Sequence, residues 1–284
     1  MITPLEPALA RAATAPQPSP RQAMHGGALG RFEVAVASAR GSQHADNEDA
    51  HSPLDGSGHL FVVADGVGGG ALAALASRQL VDSLHESLEG LRLDAQRVRR
   101  AMLDADRLIA RRIALVTDAP GAATVVLCAP MNLFASKWLV AWVGDCRAYR
   151  LGAAPHAVLE QLTLDHSFVH LDEAPPRGGS PDDPARMVGN GAVTAASVAM
   201  HDLGSGDLLA LCSDGVHKHL DDVDWVRLLR AQQPLARRCD ELVALARLHG
   251  SVDDASVLLV QRCGLLHGAS HGSSGGGSGA GGLQ

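Results

Sequence analysis

The chain has 284 residues, 46% of them hydrophobic and 19% charged, with a formal net charge of -7. That length fits one large domain or two small ones, with apolar content enough for a sizeable core. The acidic balance argues against a nucleic-acid partner, since phosphate backbones need a basic face.

Residues 1–30 are rich in Ala, Pro, Gln and Ser without sustained periodicity, and a disordered arm is expected there. Strand-like apolar runs follow at Phe32–Ser38 and His59–Ala64. Leu72, Leu75, Leu80, Leu84 and Leu88 recur at helical spacing, as do Val98, Met102, Ala105, Ile109 and Ile113, with Gly90 between the two helices. Further strand-like runs are Ala122–Ala129, Trp138–Val143, Arg147–Leu151, Asp207–Cys212 and Ser256–Gln261. A second helix pair is expected at Asp222–Ala231 and Leu235–His249, with Pro234 opening the latter. Asp165–Met200 carries four prolines (175, 176, 181 and 184) and reads as a loop or short flap over a site. A Gly/Ser-rich tail over 267–284 reads as flexible, which leaves one folded domain over 31–266. Helix pairs rather than single helices separate the strands, so two packed sheets flanked by helices fit better than a doubly wound parallel sheet.

Cys128, Cys146, Cys212, Cys239 and Cys263 are dispersed, with no C-x-x-C pair, so a reducing cytoplasm is expected rather than a disulfide framework. No apolar run reaches the length of a membrane span and the N-terminus lacks a signal-peptide core, so a cytoplasmic protein without a membrane partner is expected. Lysine occurs only at Lys137 and Lys218.

Candidate chemistry lies in the acids at strand ends. The run Phe61-Val62-Val63-Ala64 ends on Asp65, and Gly66, Gly68, Gly69 and Gly70 follow. Asp145 follows the Trp138–Val143 run and Gly144; Asp214 follows the run ending at Cys212; Asp253 and Asp254 precede the last strand. Asn47-Glu48-Asp49 follows the first strand. Like charges gathered in a low-dielectric site repel, and hard divalent cations with oxygen ligands are the partners that offset this. Any one Asp-Gly is ordinary turn chemistry. Several at strand ends point to a metal site.

Asn47-Glu48-Asp49, Asp65-Gly66-Val67-Gly68-Gly69, Gly144-Asp145-Cys146-Arg147, Thr163-Leu164-Asp165-His166-Ser167, Ser213-Asp214-Gly215 and Asp253-Asp254-Ala255-Ser256 occur in one order. In this the chain resembles the metal-dependent serine/threonine protein phosphatases of type 2C, in their bacterial branch, from about Phe32 to Gln261. The resemblance implies an α+β fold, a four-layer α-β-β-α sandwich of two antiparallel sheets flanked by helix pairs. It implies hydrolysis of phosphoserine and phosphothreonine, with two Mn²⁺ or Mg²⁺ ions at the core, room for a third, and a metal-bridging hydroxide as nucleophile. Asp65, Asp214 and Asp253 are the catalytic acids by motif position. The metal ligands are those three with the Gly66 carbonyl and Asp145, the last matching the aspartate for a third, weaker ion. Glu48 and Asp49 match a pair that holds metal-bound waters.

The chain departs from the family pattern in four places. His44 stands where an arginine grips substrate phosphate, and arginine is a permanent bidentate cation where histidine is not; Arg40 is a substitute from a nearby turn. Val67 stands where eukaryotic members carry a candidate general-acid histidine. Asp254 replaces an asparagine, which would add a carboxylate to the metal site. Cys146 replaces a serine and is expected buried and inert. His166 is expected to be structural, and His217 and His219 to be surface residues at a helix start. The implied partners are phosphorylated proteins, a serine/threonine kinase or its substrate, with the enzyme a monomer. Leu211–Leu220 also resembles phosphatases that oppose kinases of bacterial secretion systems. The alternatives from the same residues are a non-catalytic phosphoprotein-binding relative, which His44 favours, a small-molecule phosphomonoesterase, and a two-metal nuclease, which the acidic charge disfavours.

Overall fold

The computed structural model of the chain describes residues 21–27, 30–55, 59–90, 92–115, 121–191 and 196–263. In chain order the strands are β1 (Gln22–Gly27), β2 (Gly30–Ala39), β3 (Asp49–His51), β4 (Phe61–Val67), β5 (Ala122–Pro130), β6 (Lys137–Val143), β7 (Arg147–Leu151), β8 (Leu159–Gln161), β9 (Ser197–Asp202), β10 (Leu208–Cys212) and β11 (Ala255–Cys263). The helices are α1 (Ala71–Leu88), α2 (Ala95–Ala114), α3 (Asp214–His217), α4 (Asp222–Leu229) and α5 (Leu235–Leu248).

The strands form two sheets, β1-β2-β11-β10-β7-β8 and β3-β4-β5-β6-β9. Every pairing in both is antiparallel. Alternation along the strands decides the layers. On β2, Val34 and Val36 face the space between the sheets, while Ala35 and Ala37 face α4 and α5. On β4, Phe61 and Val63 point between the sheets and Val62 and Ala64 point under α1 and α2. Strands covered on both faces need apolar residues at both parities, which is why these runs are nearly continuous. Phe32, Phe61 and Trp138 meet edge-on or stacked in the central layer, with ring centroids 5.1 Å apart for Phe32 and Trp138. The result is the α-β-β-α sandwich that the resemblance implies.

Helix starts follow the local chemistry. Asp94 caps α2 by accepting from the Arg97 N–H at 2.8 Å, and Asp221 caps α4 by accepting from the Asp224 N–H at 2.9 Å. Pro234 precedes α5 directly.

The N-terminal expectation needs correction. Residues 22–27, assigned to a disordered arm, are β1, paired with β2 from Gln22↔Ala35 to Gly27↔Gly30. Its buried His25 stacks on Phe32 with centroids 5.7 Å apart. Residues 1–20 and the 267–284 tail lie outside the described residues. Among the described residues no helix is long and apolar enough to cross a membrane.

The loop expected over 165–200 is irregular over its described residues 165–191, but Ser197–Met200 belong to β9, and the irregular part is tied to the core at both ends. Asp165 takes a two-pronged ion pair from Arg147, Nε to Oδ1 at 2.9 Å and Nη2 to Oδ2 at 2.7 Å. Val188 exchanges backbone hydrogen bonds with Ala123 at the start of β5, at 2.8 and 2.9 Å.

Candidate active site

Strand register carries the sequence-distant acids to one pole. Asp49 on β3 lies directly opposite Asp65 on β4, and Asp65 lies opposite Thr124 on β5. Val143 at the end of β6 pairs with Val125, so Asp145 falls in the turn beside them. In the other sheet Cys212, at the end of β10, pairs with Val257 and with Arg147. Asp214, Asp253 and Asp145 therefore emerge together from the ends of β10, β11 and β7. Gly66 lets β4 approach α1: a Cβ there would lie 2.4 Å from the Ala73 carbonyl oxygen.

The charges at this pole feel one another. Burial, then the carboxylates of Asp214, Asp49, Asp145 and Asp253, push the Asp65 carboxyl well above its usual range. Burial pushes buried Asp49 up to about 7, although its Oδ2 accepts from the Ser213 hydroxyl at 2.7 Å. Burial and then Asp214 push Asp145 up to about 6. Asp253 is raised by burial and by Asp214. Asp214 goes the other way. Burial, the largest influence, would raise it, but the Lys218 ammonium, 2.7 Å from its Oδ2, together with His217 and Asp65, holds it below its ordinary value.

Glu48 is buried and joins three segments. Its carboxylate accepts from the Gly70 N–H at the start of α1 and pairs with His44 Nδ1 at 2.9 Å, and its N–H donates to Asp254 Oδ2 at 2.6 Å. His44 also packs beside the Gly69 turn, and Arg40 Nη1 donates to the His44 carbonyl at 2.6 Å. His44 is thus held at the edge of the acidic pole by Glu48, not left as a loose loop residue.

Asp254 does not add a carboxylate to the metal side. It is buried, Oδ1 accepts from the Gly41 N–H at 2.5 Å, and Oδ2 accepts from the Glu48 N–H. Successive residues at a strand start face opposite ways, and only Asp253 is left toward the pole. Asp254→Ala strips both donors of their acceptor. It is expected to cost about 2–4 kcal/mol, a fall in Tm of roughly 10 °C. A melting point within 2 °C of wild type, roughly a kcal/mol, would show that Asp254 is no latch.

His217 is also not a surface residue. It is buried, its Nε2 donates to the Asp145 carbonyl at 2.9 Å, and burial lowers it to about 4. Lys218, next in the chain, reaches both Asp214 and, at 3.4 Å, Asp145. An acid and a lysine four apart at a helix start was the available signal. His166 has the structural role expected. Its Nδ1 accepts from the Gly144 N–H at 3.2 Å and Nε2 bonds the Ser197 hydroxyl at 3.0 Å. Cys146 is buried against Thr124, and burial raises its thiol well above the usual range, so it is inert as expected.

The donors of the gathered aspartates are carboxylate oxygens, which fit a hard divalent ion better than a soft one. Asp49 Oδ1 and Asp214 Oδ1 are buried without a hydrogen-bond partner, as oxygens awaiting a cation or its water would be. Among the described residues, no three His, Cys, Asp or Glu side chains close on a single point. The fit rests on the shared pole and the orphaned oxygens.

A family model described as Protein phosphatase 2C matches residues 28–175, more than half of the chain. The chain belongs to the protein phosphatase 2C family. Among curated relatives, the serine/threonine phosphatase stp of Listeria monocytogenes serotype 4b is 27% identical over 78% of this chain and 93% of its own length. The serine/threonine protein phosphatase PstP of Mycobacterium tuberculosis is 28% identical over 80% of this chain and 44% of its own. Among solved structures, PppA, a key regulatory component of T6SS in Pseudomonas aeruginosa, has a TM-score of 0.68 at 27% identity, covering 81% of this phosphatase 2C chain and 97% of PppA. The PstP catalytic domain solved with two manganese ions has a TM-score of 0.68 at 23% identity, over 82% of this chain and 99% of that one, a likeness of fold.

Proposed function

We propose that this phosphatase 2C chain hydrolyses phosphoserine and phosphothreonine esters of proteins at its acidic pole, with Mn²⁺ or Mg²⁺ as cofactor. The observation that carries the reading is the gathering of Asp49, Asp65, Asp145, Asp214 and Asp253, with two buried carboxylate oxygens left without protein partners. Asp65, the Gly66 carbonyl, Asp214 and Asp253 would hold the core ions. When bound, those ions supply acidified water and positive charge against the phosphoryl oxygens. Asp49, with one oxygen on Ser213 and the other free, is placed to accept a hydrogen bond from water. Glu48 holds His44 and the start of α1 in fixed relation to it. His44, with Arg40 beside it, is the phosphate-binding group of the substrate face. In-line attack of water forms one P–O bond as the bond to the seryl or threonyl oxygen breaks, and no enzyme ester is formed. The natural substrate is a phosphoprotein of a kinase-opposed signalling circuit, and the protein acts in the cytoplasm.

Phosphate release from a phosphothreonine peptide with Mn²⁺, lost on chelation, is the expected result. Peptide binding without turnover would instead identify a non-catalytic relative, and turnover of p-nitrophenyl phosphate alone a small-molecule esterase. His44→Arg restores a permanent bidentate cation. It is expected to lower KM for the phosphopeptide about tenfold, the worth of one charge-assisted contact. An unchanged KM with unchanged kcat would place the substrate phosphate away from His44.

A further inference from the structure

Lys218 is one of two lysines in a chain with 24 lysines and arginines together. Where nearly every cation is a planar guanidinium, this one is a compact point charge. Its ammonium lies between two carboxylates of the acidic pole, 2.7 Å from Asp214 Oδ2 and 3.4 Å from Asp145 Oδ2. The place is built rather than incidental. Ser213 precedes α3, the Lys218 N–H donates to the Asp214 carbonyl at 3.0 Å and closes the turn, and the lysine stem returns over that turn to the Asp214 carboxylate. The preceding residue, His217, is buried and grips the Asp145 carbonyl at 2.9 Å. Two consecutive residues of one helical turn thus hold the Asp145 turn, one by its backbone and one by its carboxylate. Asp145 is buried, so its charge needs a neighbour that offsets it.

The resemblance reserved Asp145 for a third, weaker metal ion. A divalent ion bound there would share Asp145 with the ammonium and lie in repulsive contact with it. We propose that the Lys218 ammonium is a built-in cation that takes the place of that third ion between Asp145 and Asp214, so that this phosphatase works with a two-ion core alone. Lys218 is then a positioning residue: its ammonium, 2.7 Å from Asp214 Oδ2 and 3.4 Å from Asp145 Oδ2, holds Asp214, a ligand of the core, oriented whatever the free metal concentration. The inference rests on the metal-dependent reading given above.

Equilibrium dialysis of the full chain against Mn²⁺, with metal measured by atomic emission, tests it. Wild type is expected to take up two ions per chain. Lys218→Met is expected to take up one more, at higher concentration, and Lys218→Met with Asp145→Asn is expected to lose that extra ion. Lys218→Gln serves in the same role if the methionine variant does not fold, with circular dichroism as the check. A third ion in wild type overturns the inference and leaves the phosphatase reading standing. So does equal uptake by wild type and a folded Lys218 variant. Fewer than two ions in wild type overturns the two-ion core, and the inference with it.

Discussion

Asp65→Asn is expected to abolish phosphatase activity and to raise the stability of the metal-free protein. The two effects have one cause. Asp65 sits among the carboxylates of Asp214, Asp49, Asp145 and Asp253, and burial and those charges push it well above its usual range. Near neutral pH the metal-free fold must either bind a proton there or keep a charge among four acids, and both cost free energy that the unfolded chain does not. Asparagine has nearly the same shape and needs neither. A gain of about 1–3 kcal/mol follows, a rise in Tm of roughly 5 °C for a domain of this size. For turnover the sign reverses. Metal-ion charge stabilisation is worth several kcal/mol, and a tenfold change in rate is about 1.4 kcal/mol, so kcat should fall at least about a thousandfold. Activity and Mn²⁺ uptake measured beside a melting curve separate this from misfolding. A variant that melts lower than wild type without metal, or that keeps a tenth of the activity, would remove Asp65 from the centre of the site.

Much of the fold and of the acidic site was legible in the sequence, for physical reasons. The central strands β2, β4, β5, β6, β10 and β11 are covered on both faces, and their long apolar runs say so. The amphipathic stripes of α1, α2 and α5, with Pro234 ahead of α5, mark those helices in the sequence. An aspartate that ends an apolar strand beside glycine marks itself. What escaped is short or depends on tertiary contacts. β3 and β8 have three residues each, too few for a period to show. β1, Gln22-Ala23-Met24-His25-Gly26-Gly27, has no alternation, and it is a strand because β2 offers it an edge and Phe32 a ring to stack on. α3 is a single turn. Asp254 and Lys218 carry charges that composition places on the surface. Backbone N–H groups of residues 41 and 48 consume the first, and the second is held by Asp214, four residues before it, and by the distant Asp145. The Asp214–Lys218 spacing is local, but no local pattern announces the other partners.

The stabilisation that Mn²⁺ gives this protein is expected to grow with pH. Asp49 is raised to about 7, Asp145 to about 6, and Asp65 well above its ordinary value. For a carboxyl raised on folding, the folded state holds the proton more tightly than the unfolded chain. Its contribution is therefore full below about pH 4 and is lost as pH climbs to the folded value. In the metal-free protein these groups weaken the fold between about pH 4 and 7. His217, lowered to about 4 by burial, and His166, lowered as well, act oppositely, because they favour the fold once pH exceeds the unfolded histidine value. Melting curves of the metal-free protein alone mix the two. The difference between Mn²⁺-loaded and metal-free protein cancels the histidines: His166 bonds the Gly144 N–H and the Ser197 hydroxyl away from the acids, and His217, lowered to about 4, is neutral in both forms from pH 5.5 to 7.5. It keeps the acids, since an ion at the pole must displace whatever protons they hold. Each proton displaced makes the metal-induced gain steeper by about 1.4 kcal/mol per pH unit. With one or two protons released, the rise in Tm on saturation with Mn²⁺ should be larger at pH 7.5 than at pH 5.5 by roughly 5–10 °C. Asp214, held low by Lys218, adds nothing to this slope, because it is ionised throughout that range. A metal-induced shift that is equal at the two pH values would mean that the ions bind to carboxylates already ionised and solvated, away from Asp49, Asp65 and Asp145.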